Sequence, residues 1–295
     1  MNYCLGTVQF GLDYGIQNNK RPSRELIDEL LNMAFNKGIL TFDTAFSYGD
    51  SELILGEYFD KNRVNANNAR VITKAASNIL DDIDSNKYNE TISRFVLSSI
   101  SRLKLNKLYG FMFHDSTVVN FANKMGALSL IKDNGLVDKV GVSVYSPAEA
   151  LKAIEYNIDI IQVPYNLFDQ RLDRIDFFKK AKAKNIEIYA RSSLLQGLAL
   201  MDYDKLPKNV EFAKNYLMRF DNLCKKYRIG RLDAAVNYVS SNKYIDYIVF
   251  GTDNKNQLNE YLLIRDNVLP NSFIDEVKSI FVDVPEKLVN PTLWK

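Results

Sequence analysis

Asp43, Tyr48, Lys74 and His114 are residue types that proton-coupled carbonyl chemistry needs, and each stands at or just beyond an apolar, strand-like run. His114 is the one histidine in 295 residues. The runs are residues 38–42 before Asp43, 70–73 before Lys74 and 108–113 before His114. Reducing a carbonyl requires a hydride donor, a group that protonates the new alkoxide, and dipoles that stabilise the charge building on oxygen. Tyrosine alone is a poor acid near neutrality, with an ordinary pKa of about 10. A lysine ammonium beside the phenol lowers that value, and a carboxylate paired with the lysine keeps it protonated and fixes its place. Tyr48, Lys74 and Asp43 fit those three roles. His114 can hydrogen-bond the carbonyl oxygen or relay a proton, in either tautomer. Singly, each has an ordinary reading as a helix cap, a packed ring or a solvated cation; the combination points to catalysis.

These residues meet only if their strands are parallel neighbours whose C-terminal ends converge, which is where barrel enzymes place their chemistry. Short apolar segments followed by turn residues recur along the chain, with helical periodicity between most of them. They predict strands near 3–7, 39–43, 70–74, 108–113, 138–142, 159–163, 186–190 and 246–250. Helices are expected over 23–36, 51–59, 89–104, 117–133, 147–155, 172–184, 210–227 and 231–241. Strand and helix alternating eight times define an α/β chain forming a single-domain (β/α)8 TIM barrel over residues 1–295. Asn134-Gly135 supplies a left-handed helix stop, and Ser146-Pro147 a helix start. The longest gap between strands, from Arg191 to Tyr244, contains Gly197 and Pro207. It implies an elaborated loop over residues 191–210 at the barrel mouth, and the tail 282–295 is expected near the same opening.

Composition sets the outer limits. With 46% apolar and 25% charged residues, the chain can fill a large core and is not disordered. Lys plus Arg number 38 against 36 Asp plus Glu, a net charge of +2, so neither nucleic acid nor an anionic membrane is an expected partner. Cys4 and Cys224 match no metal-ligand spacing and read as buried thiols rather than a disulfide. One histidine and no clustered cysteines imply no metal. The sequence opens without a basic, then apolar, leader and has no run approaching a membrane span, so a reducing cytoplasm is the expected location.

Asp43-Thr44-Ala45-x-x-Tyr48-Gly49-x-Ser51-Glu52 resembles the D-T-A-x-x-Y-G-x-S-E signature of the aldo-keto reductase superfamily, (β/α)8 barrels that use NADPH or NADH. Ile72-Thr73-Lys74 and Phe113-His114-Asp115 resemble the family's lysine and histidine segments, and the likeness runs from Leu5-Gly6-Thr7 to Gly251-Thr252. The resemblance implies a catalytic tetrad of Asp43, Tyr48, Lys74 and His114, with Tyr48 as general acid. Ser143, in Val140-Gly141-Val142-Ser143, and Gln162 match the residues that hold the nicotinamide carboxamide, although Val144 replaces the usual asparagine. On strand seven, where the family presents a stacking aromatic, this chain has Arg191-Ser192-Ser193-Leu194. Arg191 is expected to stack on nicotinamide or to reach an anionic substrate. Gly251, Thr252, Asn254, Lys255 and Gln257 resemble the pyrophosphate and adenosine segment, in which a glycine turn leads into a helix. Lys255 is the nearby cation for a 2′-phosphate, which favours NADPH, with NADH also allowed. Gly6 and Thr7 complete the expected cofactor residues.

The segment from Leu5 to Ile16 resembles bacterial members linked to surface-sugar biosynthesis, so a sugar-derived carbonyl is the expected substrate. Phe10, Phe46, Tyr145, Tyr165 and Trp294 are its candidate pocket residues. Two other functions compete with the reductase: a nicotinamide-binding sensor or regulatory protein without turnover, and a cofactor-free lyase using Lys74 as a Schiff-base nucleophile. Intact Tyr48 and Lys74 weigh against the first, and the carboxylate and phenol flanking Lys74 against the second. The oligomeric state is open.

Overall fold

Buried on both faces, the strands of a parallel barrel read as continuous apolar runs rather than alternating ones. That is how β1 (Asn2–Gly6), β2 (Thr41–Asp43), β3 (Arg70–Lys74), β4 (Leu108–Phe113), β5 (Val137–Ser143), β6 (Ile160–Pro164), β7 (Glu187–Arg191) and β8 (Tyr247–Gly251) read. In the computed structural model, which describes residues 2–16 and 20–294, they pair in chain order as a closed parallel barrel, β1 returning to β8. The protein is a (β/α)8 TIM barrel, and its strands fall within two residues of their expected positions. Register places the strand ends side by side: Gly6 opposite both Asp43 and Gly251, Ser143 opposite Gln162, and Pro164 opposite Arg191.

Helices cover the outside. Ser23 caps Arg24–Asn36 by accepting from the Leu26 N–H, and Ser146 and Glu149 form a capping box on Pro147–Ala153. Gly135, at φ +71°, ends Ala122–Asp133 in the left-handed conformation that glycine tolerates. Three expected helices are broken. Residues 117–133 divide into a 3₁₀ turn, Ser116–Asn120, and the helix Ala122–Asp133 because Phe121 is extended. In 172–184, Asp176 is left-handed at φ +53° and precedes Phe177–Ala183. In 210–227 a 3₁₀ turn, Lys208–Ala213, leads into Lys214–Tyr227. Beyond β8 come Lys255–Ile264, Asn271–Ile280 and Glu286–Val289.

The core lies in two shells. The larger fills the space between sheet and helices; the smaller, Cys4, Ile72, Met112, Ile160, Tyr189 and Tyr247, fills the barrel itself. At the N-terminal end of the strands the Tyr189 and Tyr247 rings stack at 4.6 Å, and Glu187 accepts from Tyr109, Tyr189 and Lys139. Arg70 donates to the Tyr247 hydroxyl at 3.2 Å. This end is plugged by packed rings and satisfied charges, so the opening lies at the other end.

Cys4 and Cys224 are free and buried, and burial raises both thiols, that of Cys224 to about 12. Among the described residues no helix is long and apolar enough to cross a membrane.

Candidate active site

The turn after β2 carries most of the site. Asp43 ends the strand, and the Tyr48 N–H donates to the Ala45 carbonyl at 3.0 Å, closing the turn that returns Tyr48 toward the barrel axis. Ser51, first residue of the helix Ser51–Lys61, donates to Thr7 Oγ1 at 2.7 Å and lies 3.0 Å from Thr44 Oγ1. Thr7 Oγ1 in turn donates to the Asp43 carbonyl at 3.0 Å. Glu52, fully buried, accepts from Thr73 Oγ1 and pairs with Arg102 at 3.3 Å. The hydroxyls and carboxylate of this segment therefore bind β1, β2 and β3 together and set where Tyr48 stands. Gly11 lies against the same turn, where an added Cβ would fall 1.8 Å from the Tyr48 carbonyl oxygen.

Lys74, at the end of β3, is fully buried. Its Nζ donates to Asp43 Oδ1 at 2.6 Å and to the Thr44 carbonyl at 3.1 Å, and stands 5.2 Å from the Tyr48 ring centroid. Asp43 Oδ1 also accepts from Gln162 Nε2 at 2.8 Å, and Ser143 Oγ lies 3.3 Å from Gln162 Oε1. One carboxylate thus joins the ends of β2, β3 and β6. His114 follows β4, meeting the Tyr48 ring edge to face at 5.6 Å, with Nδ1 3.1 Å from Ser47 Oγ. In the tautomer that lets Ser47 donate to Nδ1, Nε2 carries the proton and can donate to a carbonyl oxygen.

Burial first, then the Lys74 and Arg191 charges, lower the His114 pKa to about 3, so the ring is neutral at neutral pH. Burial, then the Asp43 carboxylate, raise the Tyr48 hydroxyl well above its ordinary value, with Arg191 pulling the other way. The Lys74 ammonium is itself paired at 2.6 Å with Asp43. The phenol is held in its neutral form.

Tyr48 and His114 open into a cavity of about 460 Å³ at the C-terminal ends of the strands, a size typical of small-molecule sites. Asp43, Ser143, Gln162, Gly6, Thr7, Tyr145, Arg191, Ser192, Gly251 and Gln257, all expected in the site, line it. Arg191 ends β7 with Cζ 4.3 Å from the Tyr145 ring centroid, donating to the Val144 carbonyl at 3.0 Å and to Ser192 Oγ at 3.2 Å. Thr252 is buried beneath the β8 turn, donating to the Asn254 carbonyl at 2.8 Å, and Asn254 caps the next helix by accepting from the Gln257 N–H. Lys255 turns to Glu29 at 2.7 Å and is not among the lining residues.

Most of the expected substrate aromatics lie elsewhere. Phe10 is fully buried in the outer core. Phe46 packs on Phe95, with Arg102 above its ring. Tyr165 donates to Asp173 and stacks on Tyr238. Trp294 donates to the Lys287 carbonyl, and its own carbonyl accepts from Asn209. Tyr145 alone of this set reaches the cavity.

The lining contains residues that the strand pattern does not point to: Gln9 and Tyr14 beyond β1, and Ser193 to Gly197 and Leu200 beyond β7. Ser192, Leu195 and Gln196 are left-handed at φ +66°, +49° and +56°, each of which costs roughly 1–3 kcal/mol. Asn166 holds this turn by donating to the Ser192 carbonyl at 3.0 Å. The clue to Tyr14 is its place before Gly15, itself at φ +104°, in a glycine-bounded loop directly after the first strand.

A dinucleotide fits this donor set. Ser143 and Gln162 line the cavity with Tyr48, and Gly251 lines it too, where an added Cβ would meet Gln9 Oε1 at 2.1 Å. The profile of the aldo/keto reductase family matches residues 2–281. Two solved structures share the fold, one described as the "putative aldo-keto reductase" PA4992 from Pseudomona aeruginosa, at 21% identity and TM-score 0.67. The second, of the same description and organism, has TM-score 0.65 at 21% identity; both cover 89% of this chain and 88% of their own. At that identity they attest to the fold alone. No curated protein sequence matches the chain.

Proposed function

The chain belongs to the aldo/keto reductase family, an oxidoreductase family acting on carbonyl compounds, and from that premise we propose that it reduces an aldehyde or ketone with a nicotinamide dinucleotide. The observation that carries the reading is Tyr48 and His114 facing one cavity with Asp43, Ser143 and Gln162, while Lys74, paired with Asp43, stands behind. The bound dinucleotide supplies hydride. Tyr48 gives its proton to the carbonyl oxygen, and neutral His114 donates a hydrogen bond to that oxygen as charge builds. Lys74 stabilises the phenolate that remains, and Asp43 fixes Lys74 and, through Gln162, the carboxamide site.

Ser143 and Gln162 would hold the nicotinamide carboxamide, and Gly6, Thr7, Gly251, Thr252, Asn254 and Gln257 would bind the rest of the dinucleotide. The expectation of NADPH rests on Lys255. Its pairing with Glu29 outside the cavity, and the Asp253 and Glu260 carboxylates lining that end, support a site that takes NADH as readily as NADPH. A polyhydroxylated, sugar-derived carbonyl is the proposed substrate, supported by the side chains of Tyr14, Tyr145, Ser192, Ser193 and Gln196 around the opening. Two free thiols suit a reducing cytoplasm.

The test is Tyr48→Phe, assayed by loss of reduced-nicotinamide absorbance over an aldehyde and ketone panel, with cofactor titration alongside. Dinucleotide binding is retained and turnover falls by at least about a hundredfold. Undiminished turnover in this variant would sink the reading.

A further inference from the structure

The charges around the reacting end do not cancel. Lys74 is neutralised by Asp43 at 2.6 Å. Arg191 lines the same cavity as Tyr48, His114, Ser143 and Gln162, and its guanidinium is answered by a carbonyl, a hydroxyl and the face of a ring. Among the described residues no carboxylate lies within ion-pair distance of it. The other lining carboxylates, Asp253 and Glu260, belong to the β8 end. The Val144 carbonyl, Ser192 Oγ and the Tyr145 ring hold the guanidinium in place, so its charge is fixed rather than carried on a free side chain. Its influence is visible in its neighbours: it opposes the rise of the Tyr14 and Tyr48 hydroxyls and adds to the lowering of His114.

A nicotinamide ring is neutral when reduced and carries a positive charge when oxidised, while the rest of the dinucleotide is unchanged. A fixed cation near the ring therefore acts on the difference between the two forms. We propose that Arg191 is a specificity-determining residue for cofactor redox state, making this site hold the reduced dinucleotide more tightly than the oxidised one. The inference rests on the reading of this cavity as a nicotinamide site. Its consequences run in two directions. The oxidised cofactor leaves readily after turnover, so it inhibits weakly as a product. The bound reduced form, being the better stabilised, is also a milder hydride donor than the same molecule in water.

The ratio of dissociation constants isolates the effect, since contacts made by both forms cancel. Calorimetric titration with NADH and NAD+, and with NADPH and NADP+, gives it for the wild type, Arg191→Gln and Arg191→Lys. The expected wild-type preference for the reduced form is about tenfold or more, as one unit charge a few ångströms away in a partly screened site provides. Arg191→Gln brings the ratio close to one, and Arg191→Lys, which keeps the charge, retains most of it. A wild-type ratio near one overturns the inference, as does an unchanged ratio in Arg191→Gln. Should Arg191→Gln fail to fold, Arg191→Met, which also removes the charge, decides it: a ratio close to one supports the inference and an unchanged ratio overturns it. Failure of the wild type to bind any of the four dinucleotides is a different result, which removes the nicotinamide reading itself.

Discussion

Lys74 Nζ lies 2.6 Å from Asp43 Oδ1 and 5.2 Å from the centre of the Tyr48 ring, fully buried behind the residue it is proposed to serve. In the resting site the ammonium is paired with the carboxylate, and burial keeps the phenol neutral. Removing one member of a buried pair leaves the other uncompensated. Asp43→Asn is therefore expected to lower the unfolding free energy by about 3 kcal/mol and to abolish most turnover. Adding Lys74→Met to Asp43→Asn should recover much of the stability and none of the activity, because the stranded charge is gone and the Gln162 contact to residue 43 is kept. Denaturant melts of the single and double variants check this; a double variant less stable than Asp43→Asn contradicts it.

The His114 shift makes a prediction about acid. With a folded pKa of about 3 against an ordinary 6.5, the unfolded chain takes up a proton there that the folded chain refuses. Stability from this group is complete above the unfolded value and is lost as pH falls from about 6.5 toward 3. Urea midpoints should drop between pH 7 and pH 5, and the drop should be smaller in His114→Gln. An identical pH slope in the two proteins would show that the ring is not held neutral.

Lys255 and Glu29 form an exposed pair, worth at most about 1 kcal/mol. A 2′-phosphate arriving at the β8 end therefore competes with Glu29 for Lys255 at little cost, and is repelled by the Asp253 and Glu260 carboxylates. The wild type is expected to bind NADPH and NADH within about tenfold of each other. Glu29→Gln should favour NADPH by a few-fold, and Lys255→Gln should weaken NADPH while leaving NADH unchanged. Parallel fluorescence titrations decide the matter; a hundredfold wild-type preference for either cofactor runs against it.

How far the sequence reaches depends on what a position demands. The end of an apolar run is tied to the end of a strand, so Asp43 and Lys74 could be placed beside one cavity from their spacing, whereas Ser143 and Arg191 are reached only through the family resemblance. A loop residue has no such tie. Phe10 and Tyr165 occupy plausible positions after β1 and β6 and turn into the packing between sheet and helices, since an aromatic ring gains more from burial than from lining an opening. Tyr14 and Gln196 reach the cavity through backbone conformations that no hydrophobic period encodes: a glycine-bounded loop for one, a left-handed turn for the other. The helix breaks at Phe121 and Asp176 were invisible for the same reason, both residues sitting inside stretches of adequate helical periodicity.

Two glycines separate a site requirement from a backbone preference. At Gly11 a methyl group would lie 1.8 Å from the Tyr48 carbonyl oxygen and 2.7 Å from the Ser51 nitrogen, both main-chain atoms that cannot turn aside. Gly11→Ala must displace the turn that carries Tyr48, at a cost of about 1–3 kcal/mol. Its activity should fall further than that of an equally destabilised variant whose change lies far from the cavity. Gly126 lies inside the helix Ala122–Asp133 with nothing within 4 Å of an added Cβ. Gly126→Ala is expected to raise stability by roughly 0.5–1 kcal/mol, since it restricts the unfolded chain and costs the folded one nothing. Thermal melts and turnover measured on both variants test the contrast. If Gly11→Ala keeps full activity, the close approach of the β1 loop is not what positions Tyr48.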